Sequence, residues 1–122
     1  MINWNNLDTL TSFKELSEVE RVNLAEVMSG ENGAERVKDY SVPMTEDLTY
    51  NYAAKAVDDK VLAALAKLAK EAQLTEKYAA LYNGEVINTG EKRLVLHQLT
   101  RGQLGDKVEA DGVDKREFYV KQ

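Results

Sequence analysis

The chain has one histidine, His97, which lies at helical spacing between two arginines, Arg93 and Arg101. An imidazole titrates near neutral pH, so His97 could act as a catalytic acid or base, and the guanidinium groups could bind a phosphate. An acid–base histidine also needs a positioned partner and a pocket, and surface arginines usually pair with local carboxylates. We therefore favour structural roles: His97 as a hydrogen-bonded helix residue in a packed interface, and the arginines in ion pairs with Glu91, Glu85 or a neighbouring domain.

Acidic residues are concentrated around Gly112, and they are Glu109, Asp111, Asp114 and Glu117. A calcium loop with Gly112 at its sixth position would place Lys107 and Phe118 at its first and twelfth positions, where oxygen ligands are required. The calcium pattern therefore fails, and we expect a solvated turn here.

Two pairs of carboxylates could be read as glycosidase-like acids, Glu85 with Glu91 and Asp58 with Asp59. Nothing in the sequence places either pair in a shared cleft. The two aspartates instead have the position expected of a helix N-terminus, where negative charge is favourable.

Tyrosines could line a ligand pocket, but we expect core and rim positions with hydroxyls that reach water. The tyrosines concerned are Tyr40, Tyr50, Tyr52, Tyr78 and Tyr82. A phosphate-binding glycine motif is missing, because Gly102 and Gly105 lack its spacing and its lysine. We therefore predict no catalytic, cofactor-binding or metal-binding residue in this chain.

Composition narrows the classes of partner. A length of 122 residues suits one domain, and the net charge of −5 comes from 21 acidic and 16 basic residues with no basic stripe. Binding to nucleic acid or to an acidic membrane surface is therefore disfavoured. The absence of cysteine excludes disulfides and thiolate zinc sites and fits a reducing compartment. No apolar run approaches the roughly 20 residues that cross a bilayer.

Hydrophobic periodicity predicts an α+β fold that is mainly α-helical, with several short helices and a small β-hairpin. In the first half we expect a helix from Leu7 to Leu16, a capping box at Ser17–Glu20, and a helix from Val22 that ends at Gly30. We then expect a loop at Glu31–Gly33 and a hairpin between Val37 and Tyr52, whose loop is Pro43–Asp47.

The second half is predicted to contain more helices and one short strand. We first expect a helix capped by Asp58 with apolar positions from Val61 to Ala72, a break at Leu74–Thr75, and a helix with Tyr78, Leu81 and Tyr82 inward that ends at Asn83–Gly84. A helix at Glu91–Thr100 and a loop at Gly102–Asp106 follow. The last predicted elements are a strand at Val108–Ala110 with an Asp111–Gly112 turn, and the start of another element at Lys115–Gln122. Because the chain stops within that last element, we expect it to be a fragment of a longer protein.

Residues 84–101 carry the most specific pattern in the chain, GEVINTGEKRLVLHQLTR. The pattern resembles Gly-Glu-x-Ile-Asn-x-Thr-Glu-x-Arg-Ala-Val-Leu-His-x-x-x-Arg of the glucose-6-phosphate isomerase (phosphoglucose isomerase) family. The residues that agree in register are Gly84, Glu85, Ile87, Asn88, Glu91, Arg93, Val95, Leu96, His97 and Arg101. The chain departs from the pattern at Gly90 and Leu94.

Weaker similarity extends from about Leu7 to Asp114. The passage from Leu48 to Leu62 is similar to a strand-then-helix passage of the family, although Ala53–Lys55 depart from it. The general-base signature of the family, Gln-x-Gly-Val-Glu-x-x-Lys, has no match, and Val113–Lys115 is only a superficial echo of it. No catalytic residue is therefore carried over to this chain.

The resemblance implies a helical N-terminal region that precedes two sugar-isomerase α/β sandwich domains. Members of the family interconvert glucose 6-phosphate and fructose 6-phosphate in glycolysis and gluconeogenesis, through an enediol and without a metal or other cofactor. They are usually homodimers. The implied partners are the remainder of the isomerase and a second subunit, with sugar phosphate bound only by the full-length enzyme.

Two hypotheses follow. In the first, residues 1–122 are a single, cytoplasmic N-terminal domain of such an isomerase, which has a structural and interface role and is inactive alone. In the second, the chain is a free-standing helical module that acts by binding other proteins. Exposed apolar surface where the sandwich domains would dock favours the first hypothesis.

Overall fold

The computed structural model describes residues 1–101 and 106–122 of the chain. The α-helices within these ranges are α1 Thr11–Glu18, α2 Leu24–Ser29, α3 Gly33–Asp39, α4 Asp59–Glu71, α5 Leu74–Tyr82 and α6 Lys115–Val120. The strands are β1 Ser41–Thr45, β2 Leu48–Asn51, β3 Val86–Asn88, β4 Arg93–Leu94, β5 Glu109–Ala110 and β6 Val113–Asp114, paired as three two-stranded antiparallel sheets. The predicted mainly helical α+β class is therefore confirmed.

The described residues form two compact units. The hairpin unit is Thr11–Leu68, and the groove unit is Met1–Leu10 together with Ala69–Gln122, so the boundary falls within α4. The prediction that residues 1–122 make one domain stays a prediction. Among the described residues, no helix combines the length and the apolar character that crossing a membrane requires.

The first helix of the hairpin unit begins later than predicted. α1 starts at Thr11, whereas Leu7–Thr9 forms a 3₁₀ helix. Ser17 lies within α1, and its hydroxyl donates a hydrogen bond of 2.7 Å to the carbonyl of Lys14. A serine bound to the preceding turn is not free to cap a later helix, so the predicted capping box at Ser17–Glu20 is wrong.

The loop predicted at Glu31–Gly33 is confirmed for Glu31 and Asn32, which form a turn, and a helix that was not predicted follows it directly. Gly30 follows the end of α2 as predicted, but α3 begins at Gly33 and includes Val37. The extended backbone predicted from Val37 is therefore wrong for the residues before the hairpin. A Cβ at Gly33 would collide with the carbonyl of Met28, so the absence of a side chain allows α3 to begin this close to α2.

The predicted β-hairpin is confirmed, with a tighter turn than expected. β1 pairs with β2, and only Glu46 and Asp47 remain between them. Pro43 lies within β1, and the register shifts between Pro43 and Thr45. Proline is tolerated in this position because a two-stranded sheet has unpaired edges that need no N–H from it.

The long helix α4 begins as predicted. The Asp58 carboxylate accepts a hydrogen bond of 2.8 Å from the backbone N–H of Val61, which confirms the predicted cap. The break after α4 lies at Gln73, whose φ of 53° is left-handed. Leu74 and Thr75 are the first residues of α5, so the predicted break at these residues is wrong, and the observed break lies one residue earlier.

The core of the groove unit lies where α5 and the later segments meet. Ala80 on α5 is buried, and Leu99 and Val108 are the largest fully buried side chains of the described residues. Gly84 has φ 71°, and a Cβ on it would collide with Val108. Tyr78 was predicted to point inward, but 59% of its surface is exposed, because Ala80 takes the buried face of α5 instead.

The last hairpin and helix agree with the sequence. Asp111 and Gly112, with φ values of 53° and 74°, turn the chain between β5 and β6 as predicted. The predicted further element at Lys115–Gln122 is α6. Of the predicted loop Gly102–Asp106, residues 102–105 lie outside the described residues.

Candidate functional site

The three residues that could do chemistry do not share one helix. Arg93 lies on β4, whereas His97 and Arg101 lie on a 3₁₀ helix that follows it. The helix predicted for Glu91–Thr100 is therefore wrong for its first part. Arg93 is separated from the other two residues by a change of element, so they do not form a helical row.

A local turn explains why the helical spacing fails. The Asn88 side chain accepts a hydrogen bond of 3.2 Å from the backbone N–H of Glu91. Lys92 follows with φ 53°, which carries the backbone into the left-handed region. Asparagine side chains offer the backbone this alternative to a helix, and here the alternative produces the hairpin of β3 and β4.

His97 and Arg101 instead border a surface groove of about 550 Å³, here called the His97 groove. The residues that line it are Tyr78, Leu81, Tyr82, Val95, His97, Gln98, Thr100 and Arg101. The amide of Gln98 donates a hydrogen bond of 2.7 Å to the carbonyl of Leu81, which fixes the 3₁₀ helix against α5. The groove thus has one aromatic wall and one wall that carries the imidazole and a guanidinium.

The charge of the His97 groove is positive. Arg101 supplies a fixed positive charge, and the described lining residues include no carboxylate. The two tyrosine rings lie 5.2 Å apart, and the pKa of Tyr78 is raised chiefly by its hydrogen bond with Tyr82. The groove can therefore attract an anion.

The groove does not assemble an acid–base pair from the described residues. His97 is exposed, and its ring has no hydrogen-bond partner among residues 1–101 and 106–122. General acid–base catalysis needs a partner that positions the imidazole. The packed, hydrogen-bonded setting expected for His97 is not observed in this part of the chain, and its structural role stays a prediction.

Arg93 makes a weak ion pair. Its guanidinium lies 3.9 Å from the carboxylate of Glu91, and the two side chains are 77% and 64% exposed. Exposed pairs of this kind contribute little to stability. The predicted pairing of Arg93 with Glu91 is therefore confirmed, whereas no ion pair is found for Arg101 among the described residues.

The acidic residues around Gly112 have separate structural partners. Asp114 caps α6 by accepting hydrogen bonds from the backbone N–H groups of Arg116 and Glu117. Glu109 pairs with Lys107 at 2.6 Å and raises the pKa of that ammonium through their hydrogen bond. In the described parts of the chain, no three His, Asp or Glu side chains are arranged to hold a metal ion.

Three of the four candidate carboxylates have local roles. Asp58 caps α4, and Asp59 accepts a hydrogen bond of 3.0 Å from the hydroxyl of Tyr40. Glu91 is held by the side chain of Asn88. Each of these three carboxylates therefore has a local hydrogen-bond partner, and none of these contacts requires a shared catalytic cleft.

Arg36 is buried, which the sequence analysis missed. Its Nε donates to the carbonyl of Ala53 at 2.9 Å, and Nη2 donates to the carbonyls of Lys55 and Val57 at 3.1 and 2.7 Å. The guanidinium also lies 4.2 Å from the centre of the Tyr40 ring. One side chain on α3 therefore holds the segment that connects the hairpin to α4.

Tyr40 extends this cluster toward α4. Its ring packs edge-on against Tyr52, with 5.3 Å between the centroids. Burial raises the pKa of the Tyr40 hydroxyl, and the hydrogen bond to Asp59 raises it further, while nearby Arg36 acts in the opposite direction. The neutral phenol is therefore the form that suits the folded protein.

Arg116 is a second buried arginine that the sequence analysis missed. Its Nε donates to the carbonyl of Asp106 at 2.6 Å, and Nη2 donates to the carbonyl of Tyr82 at 2.9 Å. Only 4% of its surface is exposed. Arginine is rarely buried, so the sequence gives no reason to single out either residue, and only their contacts reveal their role.

Residues 51–118, more than half of the chain, match the family model of phosphoglucose isomerase. The chain is also similar to glucose-6-phosphate isomerases along nearly its whole length. It is 52% identical over 124 residues to that of Treponema denticola, and 42% identical over 125 residues to that of Treponema pallidum strain Nichols. The matches cover 98% and 99% of this chain but 24% and 23% of those relatives.

A third relative gives the same picture. The glucose-6-phosphate isomerase of Borreliella burgdorferi strain B31 is 39% identical over 121 residues, which are 98% of this chain and 22% of the relative. The chain therefore spans about a quarter of the length of the curated relatives it matches.

Proposed function

This chain belongs to the phosphoglucose isomerase family, and from that membership we propose that it is an N-terminal structural and interface domain of a glucose-6-phosphate isomerase. The observation that carries the proposal is the similarity along nearly the whole chain to relatives four times its length. The full-length enzyme would interconvert glucose 6-phosphate and fructose 6-phosphate.

The 122 residues are proposed to be inactive alone. An aldose–ketose isomerisation requires a general base placed beside the carbon that loses its proton. The only histidine has no positioning partner among the described residues, and the candidate carboxylates Asp58, Asp59 and Glu91 are engaged in local contacts. The family signature for the base also has no counterpart in the sequence.

The proposal extends to partners and location. We propose that the protein is cytoplasmic. We also propose that its partners are the remainder of the isomerase and a second subunit. Residues 1–122 would act together as one domain of that enzyme. Sugar phosphate would bind only where the remaining domains are present.

The test is the native mass of the cellular protein recognised by an antibody to this chain. The proposal expects a species several times larger than 13.7 kDa that co-elutes with glucose-6-phosphate isomerase activity. A species of 13.7 kDa without that activity would instead support a free-standing interaction module.

A coupled assay of fructose 6-phosphate conversion tests the inactive-alone part. The purified 122-residue chain should give the rate of a protein-free blank, with a full-length isomerase as the positive control. Conversion above the blank that persists through further purification would overturn this part of the proposal.

A further inference from the structure

The His97 groove has the size of a small-molecule site and takes no part in the proposed isomerase role. Its volume of about 550 Å³ lies within the range of roughly 300–1,000 Å³ that is typical of ligand pockets. Every residue that lines it belongs to the groove unit. A ligand bound there would therefore need contacts from one compact unit only.

One wall of the groove is an exposed aromatic surface. Tyr78 and Tyr82 are four residues apart on α5, so their side chains lie on the same side of the helix. Their rings are 5.2 Å apart and inclined by 38°, and 59% of the surface of Tyr78 is exposed. An aromatic ring this exposed offers a face on which a second planar ring can stack.

The other wall supplies hydrogen-bond donors that suit an anion. Arg101 is exposed, and among the described residues no carboxylate pairs with its guanidinium, whose fork of N–H groups matches the oxygens of a phosphate. His97 lies on the same 3₁₀ helix, and an imidazole carries at least one N–H donor in either protonation state. Both side chains line the groove, so both are available to a bound phosphate.

The groove also contains acceptors that an inorganic phosphate would not use. The amide nitrogen of Gln98 donates to the carbonyl of Leu81, so the oxygen of that amide remains to accept a hydrogen bond. The hydroxyl of Thr100 donates to the carbonyl of His97 at 2.8 Å, so this oxygen also remains an acceptor. A ligand that carries hydroxyl or amino groups as well as a phosphate would engage both walls.

Carboxylates near the groove do not reverse its charge. Those nearest to the lining residues along the chain are Glu76, Glu85, Glu91 and Asp106, and none of them lines the groove. On α6, which packs against the 3₁₀ helix, Glu117 pairs with Lys121, and Asp114 accepts hydrogen bonds from the first turn. In a chain of net charge −5, this groove is therefore a local site for an anion.

We propose that the His97 groove binds an organic anion in which a planar aromatic ring is joined to a phosphate, as in a nucleoside monophosphate. The ring stacks on Tyr78, and the phosphate accepts hydrogen bonds from Arg101 and His97. Hydroxyl or amino groups of the ligand donate to the amide oxygen of Gln98. A sugar phosphate lacks the planar ring, so it makes fewer of these contacts.

The inference goes beyond the proposed isomerase role, because the groove lies within this chain and its ligand undergoes no reaction there. The binding measurements involve no isomerisation, and the activity measurements involve no groove variant. Either proposal can therefore fail without the other.

Titration of the ¹⁵N-labelled chain with adenosine 5′-monophosphate, followed by amide chemical shifts, tests the proposal. The shifts should saturate with a Kd below about 1 mM and should map to residues 78–82 and 95–101. Adenosine, which lacks the phosphate, and glucose 6-phosphate, which lacks the planar ring, should each bind at least about fivefold more weakly. Shifts that do not saturate or that map elsewhere would overturn the proposal, as would equal affinity for either control ligand.

Two arginine variants test the phosphate contact. Arg101→Gln should weaken binding of adenosine 5′-monophosphate by at least about tenfold, because it removes hydrogen bonds to a charged group. Arg93→Gln removes the same charge from an exposed position outside the groove lining and should change the affinity by less than about twofold. Equal losses would mean that only the net charge of the chain matters, and the site would then be wrong.

Two tyrosine variants test the stacking contact, and circular dichroism checks that all four variants retain the fold of the parent. Tyr78→Leu removes the ring and should weaken binding of adenosine 5′-monophosphate by at least about fivefold, while binding of inorganic phosphate stays unchanged. Tyr78→Phe keeps the ring and should keep the affinity of the parent. Equal affinities of the leucine and phenylalanine variants would contradict stacking on Tyr78 and overturn the proposal.

Discussion

At the scale of single residues, the two buried arginines make more contacts that hold the structure together than the candidate site residues His97 and Arg101 do. Arg36 donates three hydrogen bonds to backbone carbonyls of one connecting segment, and Arg116 joins Asp106 to Tyr82. A planar fork of donors can serve several carbonyls at once, which an ammonium group cannot do in the same geometry. His97 and Arg101, by contrast, are exposed at the rim of a groove.

Substitution of Arg36 tests this difference. Arg36→Lys keeps the charge but leaves carbonyls near Ala53 and Val57 without their donors, so we expect a loss of about 1–3 kcal/mol in the free energy of unfolding. Arg93→Lys is the matched control, because Arg93 is exposed and its ion pair is long, and it should change stability by less than about 0.5 kcal/mol. Urea unfolding of both variants measures the difference, and equal losses would contradict the role given to Arg36.

Tyr40 gives the protein a dependence on alkaline pH. Its folded-state pKa lies above the unfolded value of 10.0, because of burial first and the hydrogen bond to Asp59 second. The neutral phenol therefore contributes stability that is fully present below the unfolded pKa and is lost as pH rises through the folded pKa.

The comparison of the parent with Tyr40→Phe measures this contribution. The difference in unfolding free energy between the two should be constant near neutral pH and should shrink above about pH 10, where the parent alone loses the contribution of the phenol. Asp59→Ala should reduce the dependence only in part, because burial remains. A difference that stays constant through the alkaline range would contradict this assignment.

At the scale of elements, local side-chain contacts decide where helices and strands begin. The cap of α4 by Asp58 and the Asp111–Gly112 turn were predictable because each uses a short motif with a known backbone preference. The hairpin of β3 and β4 was not, because the Asn88 turn competes with a helical pattern that is equally visible in the sequence. The start of α3 at Gly33 depends on a close approach to the carbonyl of Met28, which no hydrophobic periodicity reveals.

The N-terminus of α6 provides a test of capping. Asp114 accepts hydrogen bonds from two backbone N–H groups of the first turn. Asp114→Ala should cost about 1 kcal/mol, whereas Asp114→Asn retains an accepting oxygen and should cost only a few tenths of that. Thermal unfolding of the two variants measures the difference, and similar losses would mean that the charge, not the cap, is responsible.

Two glycines with the same backbone conformation differ in their surroundings. Gly84 and Gly112 have φ values of 71° and 74°, but a Cβ would collide with Val108 only at Gly84. Gly112→Ala should therefore cost about 1–2 kcal/mol from the left-handed backbone alone. Gly84→Ala also overpacks the core against Val108 and should cost about 1–3 kcal/mol more. Equal losses in denaturant unfolding would show that Val108 can move aside.

At the scale of the whole molecule, the sequence predicted the class and the family better than the site. The mainly helical α+β class follows from periodicity, and the family follows from a pattern in residues 84–101 that includes Asn88 and His97. The shared groove of His97 with Tyr82 was not predictable, because it depends on how a 3₁₀ helix meets α5. The exposure of the apolar side chains on the β1–β2 hairpin was also not predictable, since alternation in a strand indicates two faces but not which of them is covered.

The contacts of Arg36 have a consequence for the order in which the chain opens. Its guanidinium joins α3 to the carbonyl oxygens of Ala53, Lys55 and Val57, so this segment leaves α3 only when the three hydrogen bonds break together. Amide hydrogen exchange of the parent and of Arg36→Lys should therefore differ most in residues 53–57. Equal exchange in that segment would contradict the joint opening.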